Sequence, residues 1–119
     1  MANYFRTTTE FYKKIRSLED EKSKANCFGV ISGLEELSKQ KALMAVTNKR
    51  IIYFLVNSKT TRGFAVEFGN ILSVTLFNND TEIILKTNSG VTAHLKHISR
   101  GNPAEVMREI NEQRERGLV

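Results

Sequence analysis

A chain of 119 residues, 40% hydrophobic and 26% charged, has the size and make-up of one globular domain and not the biased composition of a disordered or fibrous protein. Its longest purely apolar run, residues 51–56, is far short of the ~20 residues that cross a bilayer as a helix, and a lone cysteine, Cys27, excludes an internal disulfide framework. The net charge of +5 divides as +2 over residues 1–24, +4 over residues 25–100 and −1 over residues 101–119, a spread surplus rather than the dense basic stripe of a dedicated nucleic-acid binder.

The amino-terminal stretch carries Arg6, Glu10, Lys13, Lys14 and Arg16 and lacks the apolar centre of an export signal, so a retained N-terminus and a cytoplasmic protein are expected. Thr7 followed by Glu10 has the form of a capping box, and Phe11, Tyr12, Ile15 and Leu18 recur at helical spacing, which predicts an amphipathic first helix. Residues 1–24 are thus expected to form a helix and a charged connection that pack on the domain made by residues 25–119.

From residue 25 onward the periodicity changes to short apolar or alternating runs divided by turn residues, the pattern of an all-β unit. Seven strands are predicted, near residues 26–33, 42–47, 50–57, 62–68, 72–77, 82–87 and 91–97. Asn48, Asn79, Asp80 and Gly90 sit in their links, where Asn, Asp and Gly tolerate the positive φ of tight hairpins. Phe64, Val66 and Phe68 share one face of the fourth strand, with Gly63, Ala65 and Glu67 on the other; Leu72, Val74 and Leu76 share a face of the fifth. The third strand is apolar on both faces, so its outer side needs a cover, and the first helix is predicted to supply it. A final helix over residues 103–116 is marked by Asn102 as cap, Pro103 at its first position, Glu105 as the partner in a capping box, and Gly117 near its end, with Val106, Met107 and Ile110 as its apolar stripe. These elements predict a mainly β, α+β domain: a bent antiparallel sheet or partial barrel whose open end a C-terminal helix closes.

The stretch from Leu43 through Thr47-Asn48-Lys49-Arg50 to Phe54 resembles the strand, Thr-Asn-Lys-Arg turn and strand of bacterial pleckstrin-homology (PH) like domains, including the YokE-like group. Glu67 to Val74 is similar to that family's aromatic, Ile, Ser-Val segment, and Ile83 to Gly90 to its penultimate strand and glycine turn. The resemblance covers residues 25–115 and implies a seven-stranded bent sandwich with the last helix at one corner, acting as a binding module without cofactor. Lipid-binding PH domains carry basic residues in and after the first strand, whereas residues 26–33 have none and are followed by Glu35 and Glu36. The tryptophan usual in the closing helix of the eukaryotic branch is absent too.

Candidate chemical motifs have ordinary structural readings. Thr47-Asn48-Lys49-Arg50 has the composition of an anion nest, but an Asn at a left-handed turn position explains it. Arg62 to Phe68 is one residue short of the RNA-recognition signature, which places Phe64 and Phe68 in the core rather than beneath bases. His94 and His97, three apart on a strand, point to opposite faces and do not chelate one ion. No nucleophile elbow, phosphate-cradling glycine loop or poised carboxylate pair is present, so no catalytic residue, metal site or cofactor is expected. One binding cluster remains: in an up-and-down run of strands the links after strands one and three fall at one end, which gathers Lys39, Lys41, Lys59 and Arg62. Such a group of cations suits a phosphate, an acidic lipid surface or an acidic peptide. The leading expectation is a non-catalytic module for a protein partner or for further copies of itself, through an uncovered strand edge or the first helix; the anionic ligand is its alternative.

Overall fold

A computed structural model of the chain describes residues 4–16, 20–33, 40–56 and 61–117. Two helices, α1 (Tyr4–Arg16) and α2 (Pro103–Gly117), flank seven strands: β1 (Ser23–Ser32), β2 (Gln40–Thr47), β3 (Arg50–Val56), β4 (Thr61–Glu67), β5 (Ile71–Phe77), β6 (Glu82–Thr87) and β7 (Thr92–Gly101). A 3-10 turn, Phe68–Asn70, joins β4 to β5. All strands lie in one antiparallel sheet in the order β4-β3-β2-β1-β7-β6-β5. The mainly β, PH-like architecture predicted above is the one observed.

β1 stands at the centre because it is paired on both sides, with β2 next in sequence and with β7 at the far end of the chain. The pairing with β7 is irregular: between Phe28↔Arg100 and Val30↔Lys96 a single residue, Gly29, faces three residues of β7. A Cβ on Gly29 would lie 2.4 Å from the Lys96 carbonyl oxygen, so only glycine permits the approach. The bulged side takes up the mismatch through His97, at φ 52°, and Ile98 N–H donates across to Thr81 O at 3.0 Å.

The curled sheet encloses one core. Cys27 and Ile31 from β1, Met44 and Val46 from β2, Ile51, Tyr53 and Leu55 from β3, Ile83 and Leu85 from β6 and Leu95 from β7 are all buried within it. Val106 and Ile110 of α2 are fully buried in the same cluster, so the helix closes the end of the curl. Asn102 caps α2, its Oδ1 accepting from Glu105 N–H at 3.1 Å. The reciprocal half of a capping box is not made: Asn102 N–H donates to Asn26 O instead, and the Glu105 carboxylate pairs with Arg108.

The outer face of β1–β3 carries a second apolar cluster, where Phe28, Leu43, Ala45, Ile52 and Phe54 pack against Phe11 and Ile15 of α1. Phe11 meets Phe54 edge to face, with ring centroids 5.5 Å apart.

Several local expectations are corrected. α1 already includes Tyr4, so Thr7 lies inside the helix, fully buried, and is not its cap. Thr8 and Thr9 also lie within the helix, where their hydroxyls donate back to the carbonyls of Tyr4 and Phe5. β1 begins earlier than predicted and takes in Lys24. A register shift between Ile71 and Ser73 turns Leu72 outward to 60% exposure, leaving Ile71, Val74 and Leu76 on the core side. The three residues Asn78, Asn79 and Asp80 do adopt positive φ, but Asn48 does not. Leu18, Glu35 and Glu36 lie outside the described residues.

Gly101 links the sheet to α2 at φ 83°, and a Cβ there would fall 2.5 Å from Asn26 O and 2.6 Å from Cys27 Cα. Gly101→Ala is therefore expected to cost about 2 kcal/mol or more, through left-handed strain and backbone overlap together. Chemical denaturation checks it: a lowered midpoint with an unchanged slope is the predicted result, and wild-type stability would contradict the crossing described.

Candidate binding surfaces and the turn that positions them

The Thr47 to Arg50 turn is a clamp on the segment that leads from α1 into β1. Asn48 uses its side-chain amide on both sides, accepting from Lys22 N–H and donating to Asp20 O, each at 2.7 Å. Thr47 Oγ1 accepts from the N–H groups of Lys49 and Arg50, each at 3.1 Å, and donates to Glu21 Oε2 at 2.8 Å. Arg50 closes the clamp with a two-pronged contact, Nε to Oε2 at 3.0 Å and Nη2 to Oε1 at 3.1 Å. Burial works to raise the Glu21 carboxyl pKa, but the hydrogen bonds from Arg50 and Thr47 and the charges of Arg50 and Lys49 outweigh it and hold the group below its ordinary 4.5. The turn thus spends its polar groups on its own chain, which supports the structural reading of the motif over an anion nest, through side-chain bonding and not through a left-handed Asn48.

Among the described residues, two clefts flank α1. The larger, of about 270 Å³, opens between α1 and β4. Phe11 and Ile15 of α1 line it on one side, and on the sheet Ile52 and Phe54 of β3 line it together with their partners on the same face, the solvent-facing Ala65 and Gly63 of β4. Lys14 and Arg50 are its ionisable lining residues, and Lys14 Nζ stands 5.9 Å from the Phe54 ring centroid. The smaller cleft, about 190 Å³, lies on the other side of α1 and is lined by Tyr4, Phe5, Phe28, Lys41, Ser99 and Arg100. Phe5 is 70% exposed there, with the Arg100 guanidinium 6.0 Å from its ring centroid.

Of the cations predicted to cluster, Lys41 is described as an exposed residue of β2 beside Arg100 in the smaller cleft. Lys39 and Lys59 lie outside the described residues, as does the side chain of Arg62, whose backbone sits opposite Leu55 in β4. The registers Ile31↔Gln40 and Val56↔Thr61, joined through Leu43↔Phe54, set the end of β1, the start of β2, the end of β3 and the start of β4 at one end of the sheet. The groove beside β4 was not singled out from the sequence. Its signal was present in the shared face of Gly63 and Ala65, but the offset of α1 that leaves this face open was not.

Phe64 and Phe68 of the near-miss RNA signature pack against the core, and Val66 between them is buried. His94 Nε2 lies 2.9 Å from Glu82 Oε1, while His97 is exposed at the bulge. Among the described residues no group of three or more His, Cys, Asp or Glu could hold a metal ion. The Cys27 thiol is buried, and desolvation pushes its pKa up to about 12, which keeps it protonated and unreactive.

The Glu21 carboxylate sets a pH dependence. Its folded-state pKa is depressed, so its stabilisation is fully present above the unfolded value of 4.5 and is lost as pH falls through the lower folded value. Glu21→Gln should therefore lose about 2 kcal/mol at pH 7, where a buried Arg50 contact is broken. The gap to the parent chain should close on acidification below pH 4.5; denaturation at a series of pH values measures it, and a gap independent of pH would exclude the clamp as its origin.

A family model described as bacterial PH domain matches residues 9–112. A solved structure, the C-terminal domain of an unknown protein from Leishmania infantum, superposes with a TM-score of 0.64, covering 91% of this chain and 97% of that one at 16% identity. No curated protein matches the chain. Likeness at that identity speaks for the fold alone, but the family model takes in the whole sheet, the larger part of α1 and most of α2. With a central doubly paired strand, a curled seven-stranded sheet and a helix sealing its end, the chain belongs to the bacterial PH domain family.

Proposed function

We propose that the chain is a non-catalytic interaction module whose ligand is a protein. A PH-like domain suggests a binding module, and PH domains generally carry no catalytic site. The observation that carries the protein reading is the open edge of β4, which among the described residues pairs with β3 alone, lying directly beside the apolar groove under α1. An edge of this kind offers unpaired backbone donors and acceptors, and the groove offers apolar area; both are what a polypeptide uses. The other edge, β5, also presents exposed apolar side chains, Leu72 and Phe77. Among the described residues no helix is long and apolar enough to cross a membrane.

A photo-reactive amino acid in place of Ala65, expressed in the source cells, should yield a defined covalent adduct that a probe in place of Asp80, in the β5–β6 turn, does not. Equal adducts from both positions, or none, would reject the reading. Sedimentation of the purified chain separates the self-assembly version, which requires a concentration-dependent dimer or larger species.

A second reading has its own support in the smaller cleft, where Lys41 and Arg100 stand beside Ser99 and the exposed Phe5. This surface would take an anionic ligand: a phosphate, an acidic lipid surface or an acidic peptide. Binding to vesicles containing anionic lipid should then weaken steeply with salt and fall with Lys41→Glu combined with Arg100→Glu. Binding that ignores both charge reversals would dismiss it.

A further inference from the structure

β5 is an edge strand without the charges or proline that commonly stop one edge from pairing with another. Among the described residues it is bonded to β6 alone, and residues 68–79 hold no charged side chain and no proline. Its irregularity lies at the start, between Ile71 and Ser73; from Ser73 to Phe77 the register against β6 is unbroken. Leu72 and Phe77, near its two ends, are two of the four large hydrophobic side chains exposed among the described residues. Val74 and Leu76, on the core side, are themselves half-buried. An uncharged edge with apolar groups left over on both faces gains by being covered.

The order of these residues fits a second copy of the same chain. An antiparallel pair that continues the sheet keeps outer-face residues opposite outer-face residues; in β5 these are Ser73, Thr75 and Phe77, the partners of Lys86, Ile84 and Glu82. A two-fold axis through Thr75 sets that residue against its own copy, a favourable cross-strand pair, and sets Ser73, with the exposed Leu72 beside it, against the other copy's Phe77. On the core side the same axis sets Val74 against Leu76. Each partly exposed apolar side chain of the strand thus meets another, and symmetry repeats every contact. Charge selects the same axis. Lys86 stands behind Ser73 and Glu82 behind Phe77, so the two rows of side chains that cross such an interface each run from a lysine to a glutamate. An axis through Ser73 would instead turn two Lys86 side chains toward each other, and one through Phe77 two Glu82 carboxylates.

From this complementarity we infer that the chain forms a two-fold symmetric dimer in which two β5 strands pair antiparallel about Thr75 and join two seven-stranded sheets into one. Head-to-tail pairing of β5 with β4 would leave an edge free at either end and grow without closing. The dimer leaves both β4 edges open, so it is independent of the reading of β4 as a partner-binding edge, and either can fail without the other. A photo-reactive residue in place of Asp80 would then join to a second copy, giving an adduct distinct from the one expected at Ala65.

Sedimentation velocity of the full-length chain over a concentration series should show monomer and dimer in reversible exchange, with no larger species. Thr75→Lys, at an exposed edge position, puts like charges across the axis and should raise the dissociation constant by about tenfold or more, with an unchanged circular dichroism spectrum. Thr75→Glu should do the same. Mixing the two variants should restore a dimer, a rescue that misfolded chains do not give. Ala65→Arg, on the opposite edge, should dimerise like the parent chain. A chain that stays monomeric at every concentration would overturn the inference, as would a mixture of the two variants no more dimeric than each alone, or a ladder of larger species. Dimerisation lost in Ala65→Arg but kept in both Thr75 variants would place the interface at β4 and overturn it as well.

Discussion

The structure depends on the pairing of β1 with β7, which joins the first four strands to the last three in one sheet. These strands are separated by most of the chain, so their pairing comes at a high loop-closure cost and has to be specified strongly. The specification is steric. Glycine at positions 29 and 101 lets the β7 backbone approach within distances that no side chain allows, and the mismatch of one residue against three bends the sheet at its middle. That bend makes a curl with an inside and an outside, and the curl is what α2 closes with Val106 and Ile110.

The outside is organised by a different interaction. α1 lies across β1–β3 through Phe11 and Ile15, while the Glu21, Thr47, Asn48 and Arg50 clamp fixes the connection that follows it. Because the helix covers β3 and stops short of β4, its position defines both the groove and the open edge beside it. Arg50 belongs to both arrangements, as the clamp's cation and as part of the groove lining. The site is therefore not a loop feature added to a scaffold but a consequence of where the helix ends and the edge begins.

Polar groups are also left inside the curl. Tyr53 is fully buried, its hydroxyl has no hydrogen-bond partner among the described residues, and burial raises its pKa further above the ordinary value. Cys27 is likewise held neutral by its surroundings. Both side chains are packed into the core and are kept from ionising by their burial.

The sequence by itself determined the strand count, the two helices, the capped start at Asn102 and the two-sided burial of β3, because each of these is written in local periodicity and turn chemistry. It also held the core assignment of Phe64 and Phe68, since alternation within one strand places them together. What it did not contain were relations between distant residues: Gly29 against Lys96, the outward turn of Leu72 at a register shift, and Asn48 bridging Asp20 and Lys22 where a left-handed turn was expected. The groove over Gly63 and Ala65 belongs to that second group. Their shared face was legible in the alternation, but whether a helix covers it depends on how α1 docks across the sheet, and docking is decided by the packing of Phe11, Ile15 and Phe54 in three dimensions.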